Sequence, residues 1–123
     1  MNETAFVIED DEDLSTIFTE ALQSAGYQVE RLLDGAAARQ RLSETAPHLV
    51  LLDMHLPHVS GADLLTGIRS DERFARTLVV IATADARLGE EYRSVADFVL
   101  IKPISFVQLR DLTQRLHKPP AAA

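Results

Sequence analysis

Acidic, hydroxyl and amino side chains stand directly after four apolar segments of this 123-residue chain. Two acids follow the first segment, one acid follows a run of four aliphatic residues, a hydroxyl follows the next segment and an ammonium follows the last. Where such segments are parallel strands, their carboxyl ends meet at one edge of a sheet, and ligands bind there. The side chains that this pattern brings together are Glu9, Asp10, Asp53, Thr83 and Lys102.

These groups suit the chemistry of phosphate and a metal ion. Three carboxylates at close range repel one another, which raises the pKa of at least one of them unless a cation lies among them. A hard ion such as Mg²⁺ fits, because it takes a few carboxylates, keeps several waters and contacts phosphoryl oxygens. Asp53 can act as a nucleophile toward phosphorus, Thr83 can donate to a phosphoryl oxygen, and Lys102 can offset charge in the transition state. The alternative is that Asp53 only caps a turn.

The hydrophobic pattern predicts five strands that alternate with five helices. The segment 49–52 is apolar at every residue, which is typical of a central parallel strand buried on both faces. Right-handed crossovers between such strands give a parallel sheet covered by helices on both faces. The predicted strands are 5–8, 27–33, 49–52, 78–82 and 98–101, and the predicted helices begin near residues 14, 36, 63, 86 and 105.

The helices are predicted from apolar residues spaced by three and four. The fourth helix, 86–95, is expected to be weak, because Gly89 interrupts it. The polar stretch 70–77 is predicted to be a loop. The face of the first helix comprises Leu14, Ile17, Phe18, Ala21 and Leu22, and that of the fourth comprises Leu88, Tyr92 and Val95.

Composition limits the kinds of protein that the chain can be. At 46% hydrophobic residues, a chain of this length suits one domain with a single core. The net charge of −7 opposes direct contact with nucleic acid, which needs a basic patch. The lack of cysteine excludes disulfides and thiolate zinc sites. No apolar run approaches membrane-spanning length, so we expect a cytoplasmic domain without membrane contact.

In four ordered motifs the chain resembles the receiver domains of two-component response regulators. They are VIEDDEDL from Val7, PHLVLLDMHLPHVSG from Pro47, VVIATADA from Val79 and LIKPI from Leu100, within a resemblance that extends from Phe6 to about Leu116. The expected fold is a doubly wound, flavodoxin-like three-layer sandwich with strand order 2-1-3-4-5 and its ligand crevice between strands 1 and 3. We expect a receiver domain over residues 1–118 and a tail or truncated linker over 119–123.

The resemblance also implies roles for the grouped side chains. Asp53 matches the phosphoaccepting aspartate, Glu9 and Asp10 the acidic metal-binding pair, Thr83 the switch hydroxyl, and Lys102 the lysine of the KP pair. By the same resemblance, His55, two residues beyond the phosphoacceptor, is expected to give its backbone carbonyl to Mg²⁺. The implied function is to accept a phosphoryl group from a histidine kinase or phosphotransfer protein and to switch an interaction surface, with at most slow self-dephosphorylation and no other enzymatic activity. The output partner is unknown, and homodimerisation on phosphorylation stays open.

Two departures from the family pattern concern the switch. Receivers commonly carry an aromatic residue three positions before the KP lysine, and this chain has Val99 there, with Phe98 one place early. The interval between Thr83 and the lysine is also several residues short, which shrinks the fourth helix. A β-branched valine has few rotamers and cannot make the inward swing of an aromatic ring. We therefore expect activation to move the loop 83–87 and the fourth helix.

A third departure is a group of histidines around the central strand. His48, His55 and His58 flank the strand and its following loop. Each histidine is either an exposed loop residue or a side chain that contacts a metal ion or a phosphoryl group, since histidine changes its charge near physiological pH. The exposed alternative is favoured for His48 and His58, and the two alternatives are balanced for His55.

Two other functions compete with a phosphoacceptor. A phosphatase of the haloacid dehalogenase type also uses a strand-end Asp, a Thr, a Lys and Mg²⁺, but it carries a second acid two residues after the nucleophile, where this chain has His55. The chain also lacks the length for a substrate cap. The second alternative is a constitutive, receiver-like interaction module that does not switch. Val99 and the short fourth helix favour it, and the complete set of site residues opposes it.

Overall fold

The apolar segments of the chain form one parallel sheet flanked by helices. The computed structural model describes residues 3–117, so the predicted tail at 119–123 lies outside the described residues. The elements, in chain order, are β1 (Thr4–Ile8), α1 (Glu12–Ser24), β2 (Gln28–Leu32), α2 (Gly35–Glu44), β3 (Leu49–Asp53), α3 (Gly61–Arg69), a 3-10 turn (Glu72–Phe74), β4 (Leu78–Thr83), α4 (Ala86–Glu91), β5 (Phe98–Ile101) and α5 (Phe106–Leu116).

The strand order is β2-β1-β3-β4-β5, with every neighbouring pair parallel, which confirms the predicted doubly wound sheet. β3 lies in the centre and all five of its residues are buried. The register aligns Leu52 with Ile8 of β1, and Asp53 with Ala82 of β4. The carboxyl ends of the strands that carry the candidate side chains therefore lie side by side at one edge of the sheet.

Alternate residues of the central strands face two separate hydrophobic layers. In β3, Leu49 and Leu51 pack with α1 and α5, whereas Val50 and Leu52 pack with α2 and α3. Burying one such side chain contributes roughly 1.5–3 kcal/mol relative to leaving it exposed. Because both faces of β3 are covered in this way, the strand that ends in Asp53 is a rigid support.

Each of the five helices in residues 3–117 begins with a side chain that accepts a hydrogen bond from the backbone of its first turn. None of these helices has the length and apolarity that crossing a membrane needs. α1 ends before Gly26, whose φ of 109° lies in the left-handed region, as the sequence predicts. The capping residues are Asp11, Asp34, Ser60, Asp85 and Ser105.

Three local predictions are wrong. The spacing places Ile17 on the apolar face of α1, yet Ile17 is 39% exposed. The covered strip of α1 centres on Phe18 and Leu22, and Ile17 lies about 100° away from Phe18 around the helix. Val95 is 43% exposed, because α4 ends at Glu91 rather than near residue 95. The predicted loop 70–77 contains the 3-10 turn, and its Phe74 is buried.

Arg69 at the end of α3 fixes the chain that follows the short α4. Its guanidinium donates to the carbonyl oxygens of Val95 (2.7 Å) and Thr77 (3.1 Å) and to Asp97 Oδ2 (2.6 Å). Asp97 Oδ2 also accepts from the backbone N–H of Val79 at 2.7 Å. These contacts hold the entry to β5 against α3 and β4, although α4 covers little of this region.

Candidate functional site

Asp53 ends β3 with its side chain among groups from neighbouring strands. It is only 4% exposed, and its Oδ1 accepts a hydrogen bond of 3.2 Å from the backbone N–H of His55. The loop after Asp53 folds back so closely that a Cβ at Gly61 would lie 2.5 Å from the Asp53 carbonyl oxygen. A glycine is therefore needed at the start of α3 for the loop to pass beside the strand end.

Glu9 and Asp10 follow β1 and face Asp53 across the crevice. One carboxylate oxygen from each of the three acids lies within 4.8 Å of the others. Glu9 is 2% exposed, whereas Asp10 is open to solvent. Glu9 Oε2 also accepts from the backbone N–H of Asp11 at 3.2 Å. The predicted acidic group is thus assembled from β1 and β3.

Lys102 supplies the positive charge of the crevice and contacts two of its acids. Its Nζ lies 2.8 Å from Glu9 Oε1 and 3.6 Å from Asp53 Oδ1. Its backbone N–H donates to the carbonyl oxygen of Thr83 at 2.8 Å, which fixes the residue beside the end of β4. Burial, the largest single influence, lowers the pKa of Lys102, but the hydrogen bond with Glu9 and the charge of Asp53 outweigh it and raise that pKa.

Glu9 and Asp53 bind protons more tightly than a carboxylate in water does. Burial, opposed by the hydrogen bond from Lys102 and reinforced by the charge of Asp53, raises the pKa of Glu9 from 4.5 to about 7. Burial also raises the pKa of Asp53, against the hydrogen bond from His55 and the charge of Lys102. The predicted increase is therefore present, but its first cause is loss of hydration and the mutual repulsion of the carboxylates is secondary.

Thr83 ends β4 with no exposed surface. Its Oγ1 accepts a hydrogen bond of 3.0 Å from the backbone N–H of Asp85. Asp85 in turn caps α4, since its Oδ1 accepts from Leu88 N at 3.1 Å. Sequence reasoning missed this residue, although an aspartate three positions before the first apolar residue of a helix is a recognisable capping signal.

The three histidines around β3 are exposed, whereas Val99 and Phe98, the residues considered for the switch, differ in how far they are buried. The side chains of His55 and His58 are exposed to solvent in the loop after β3. His48 is exposed at the opposite, amino end of β3, where its Nδ1 accepts from the backbone N–H of Thr4 at 3.0 Å. Val99 packs on the α2–α3 layer, and Phe98 is 39% exposed. The structure thus brings the side chains of Glu9, Asp10, Asp53 and Lys102 together, places Thr83 at the end of the neighbouring strand, and leaves His48 at the opposite end of β3.

Comparison with known proteins agrees with this geometry. The family model described as response regulator receiver domain matches residues 5–114. The phosphate regulon transcriptional regulatory protein PhoB of Rhizobium meliloti (strain 1021) is 35% identical over 106 residues, which cover 84% of this chain and 47% of PhoB. The polar-differentiation response regulator DivK of Brucella ovis is 31% identical over 108 residues, which cover 85% of this chain and 88% of DivK. The chain thus spans about half the length of PhoB and most of the length of DivK.

A solved structure shows the same arrangement of elements. The response regulator receiver domain (CheY-like) from Methylobacillus flagellatus is similar with a TM-score of 0.83 and 26% identity, covering 95% of this chain and 100% of that chain. The family match spans nearly all the described residues, and the sheet order is the one that the resemblance implied. The chain therefore belongs to the receiver domain family of the response regulators of two-component signalling.

Proposed function

We propose that Asp53 accepts a phosphoryl group from a phosphohistidine of a histidine kinase or phosphotransfer protein. The observation that carries the proposal is the position of its carboxylate at the end of β3. Oxygens of Glu9 and Asp10 lie within 4.8 Å of it, and the Lys102 ammonium lies 3.6 Å away. Membership of the receiver family supports the same role, since these domains are generally phosphoacceptors.

The transfer is a displacement at phosphorus. An oxygen of the ionised Asp53 carboxylate attacks, and a P–O bond forms as the P–N bond of the donor breaks. The bonding electrons leave with the imidazole nitrogen, which takes a proton from water. Lys102 offsets the charge that spreads over the phosphoryl oxygens. Thr83, at the end of the neighbouring strand, supplies a hydroxyl that can donate to one of those oxygens.

The acids of the crevice fit a Mg²⁺ ion. Their ligand atoms are carboxylate oxygens, which this ion prefers, and the exposed side of the group at Asp10 admits the waters that the ion keeps. A bound Mg²⁺ would offset the charge of the carboxylates and of the phosphoryl oxygens. Glu9, Asp10 and Asp53 would hold it, and we assign the remaining protein ligand to the backbone carbonyl of His55, whose N–H is already held by Asp53.

Phosphorylation at this site would switch a surface that binds an output partner, or that binds a second copy of the chain. The competing function is a constitutive interaction module, which the small Val99 and the six-residue α4 favour. The two functions differ in one observable, because a constitutive module binds its partner equally well with and without the phosphoryl group.

The direct test is labelling with acetyl phosphate in the presence of Mg²⁺, followed by intact-protein mass spectrometry. Wild type should gain the mass of one phosphoryl group, and a chelator should abolish the gain. Asp53→Asn should take up none, whereas Asp63→Asn, which changes an exposed aspartate of α3, should label like wild type. Label retained in Asp53→Asn would show that another residue is the acceptor. An unlabelled wild type would favour the constitutive module.

A further inference from the structure

Gly35, the first residue of α2, packs against the loop that connects β3 to α3 (residues 54–60). Gly35 is buried, and a Cβ at this position would overlap the carbonyl oxygen of Val59 and lie 2.7 Å from Val59 Cβ. Its backbone N–H donates a long hydrogen bond of 3.4 Å to the carbonyl oxygen of Pro57. The start of α2 and the β3–α3 loop are thus in direct backbone contact, which the missing side chain at position 35 makes possible.

The β3–α3 loop is held at its far end by a second close approach. The backbone N–H of Gly61 donates to the carbonyl oxygen of Met54 at 3.3 Å, and a Cβ at Gly61 would lie 2.5 Å from Met54 Cα. Within the loop, the carbonyl oxygen of Pro57 accepts from the N–H of Val59 at 2.9 Å as well as from Gly35. The path of the loop is therefore fixed between the end of β3 and the start of α2.

This loop carries the backbone carbonyl of His55, to which we assign one ligand of the proposed Mg²⁺ ion. Strand ends place the acids of the site, but a backbone carbonyl can point at an ion only where the chain on both sides of it follows a fixed path. On the amino side of His55, its N–H is held by Asp53 Oδ1 at 3.2 Å. On the carboxyl side, the chain is held by the contacts of Pro57 and Val59 with Gly35.

We infer that Gly35 is a positioning residue for the Mg²⁺ site, although it lies in α2 and outside the acidic group. The inference rests on the proposed function and adds a residue on which its metal affinity depends. Any side chain at position 35 must push Val59 and Pro57 away from α2, and the His55 carbonyl moves with them. Residues that orient metal ligands in this way typically change metal affinity by about 10–100-fold when they are replaced.

The test is the Mg²⁺ affinity of Gly35→Ala, measured by calorimetry. The variant should bind Mg²⁺ at least about tenfold more weakly than wild type. The concentration of Mg²⁺ that gives half-maximal labelling by acetyl phosphate should rise by the same factor. At saturating Mg²⁺ the variant should still take up one phosphoryl group, because Asp53 and Lys102 are unchanged.

Two control variants separate the position of the loop from the stability of α2. Asp34→Ala removes the cap of α2, whose Oδ1 accepts from Ala37 N at 2.8 Å, but it places no atom against Val59. It should lower the melting temperature and keep the Mg²⁺ affinity within about twofold of wild type. Gly67→Ala should match wild type in both properties, because a Cβ at this α3 glycine has no other atom within 4 Å.

Amide hydrogen exchange of the wild type tests the same contact even if Gly35→Ala does not fold. If the loop positions a Mg²⁺ ligand, bound Mg²⁺ must in turn stabilise the loop, since coupling between two sites is reciprocal. The N–H of Gly35, which donates into the loop, should then exchange more slowly with Mg²⁺ present. The N–H of Ala38, which donates to the carbonyl oxygen of Asp34 at 3.1 Å within α2, reports general stabilisation and should slow by a smaller factor.

The outcomes distinguish this inference from the proposed function. If wild type binds Mg²⁺ but takes up no phosphoryl group, the phosphoacceptor role fails, and the Mg²⁺ affinities of the variants still decide the inference. The inference is overturned if wild type binds no Mg²⁺, or if Gly35→Ala binds it as tightly as wild type does. It is also overturned if Asp34→Ala loses as much affinity as Gly35→Ala, or if Mg²⁺ slows exchange equally at Gly35 and Ala38, because the contact is then only structural.

Discussion

Replacing Glu9 by glutamine should stabilise the metal-free protein at neutral and alkaline pH. Burial, with the Lys102 hydrogen bond opposing it, raises the pKa of Glu9 from 4.5 to about 7 in the folded state. Between those two values the folded protein keeps a proton that the unfolded chain has released. The free energy of unfolding of the wild type therefore falls as pH rises through this window, and it does not recover above it.

The magnitude follows from the width of the window. The interval from 4.5 to about 7 spans about 2.5 pH units, and at ~1.4 kcal/mol per unit it corresponds to about 3 kcal/mol. Glutamine keeps the shape of the side chain and carries no charge. The advantage of Glu9→Gln over wild type should therefore grow by about 3 kcal/mol between pH 4.5 and pH 8, on the order of 10 °C in melting temperature.

Urea unfolding in the presence of a chelator measures this difference. The chain has no tryptophan, so circular dichroism is the suitable probe. Glu20→Gln, at an exposed position of α1, controls for the loss of one negative charge. An advantage that does not change with pH, or one that Glu20→Gln shares, would refute the assignment of the pH dependence to Glu9. Millimolar Mg²⁺ should narrow the gap, because it stabilises the wild type and lacks a ligand in the variant.

Three further predictions concern the surroundings of the site. His58 has a φ of 71°, so His58→Gly should raise the free energy of unfolding by about 1 kcal/mol in urea titrations; a decrease would show that the loop is unstrained. Asp97→Ala removes the acceptor of Arg69 Nη2 and of Val79 N and should lower the free energy of unfolding by about 1–3 kcal/mol; an unchanged value would show that water replaces the carboxylate. Millimolar Mg²⁺ at pH 8 should raise the melting temperature of wild type but not of Asp10→Asn, and an unshifted wild type would contradict the metal site.

The sequence was sufficient for the sheet and for the grouping of the site residues. A run such as 49–52, apolar at every position, has few interpretations in a short chain besides a central parallel strand. Once the strands are parallel, the side chains that follow them must meet at one edge. Lys102, far from Glu9 in sequence, is therefore placed near it by topology alone.

The sequence could not determine which part of each helix the sheet covers. Ile17 and Phe18 both fit the apolar spacing of α1, but spacing alone does not give the width of the buried strip. The exposure of Ile17 depends on how α1 lies against α5. Val95 lies at helical spacing from Leu88 and Tyr92, but α4 ends at Glu91, before it reaches Val95. The link between Thr83 and Asp85 runs from a backbone N–H to the Thr83 hydroxyl, and any residue but proline at position 85 could donate it, so the sequence does not single out Asp85 as the donor.

The hydrogen bond between Lys102 and Glu9 joins residues 93 positions apart, and it has a consequence for biogenesis. Strand β5 reaches Glu9 only through β4, β3 and β1, so the crevice is complete only after all four strands have assembled. During synthesis Asp53 leaves the ribosome long before Lys102 does. A nascent or partly unfolded chain thus contains the acceptor without the chemistry that activates it. Phosphoryl labelling of nascent chains would therefore report when the crevice has assembled. Only fully folded molecules would accept a phosphoryl group from a kinase.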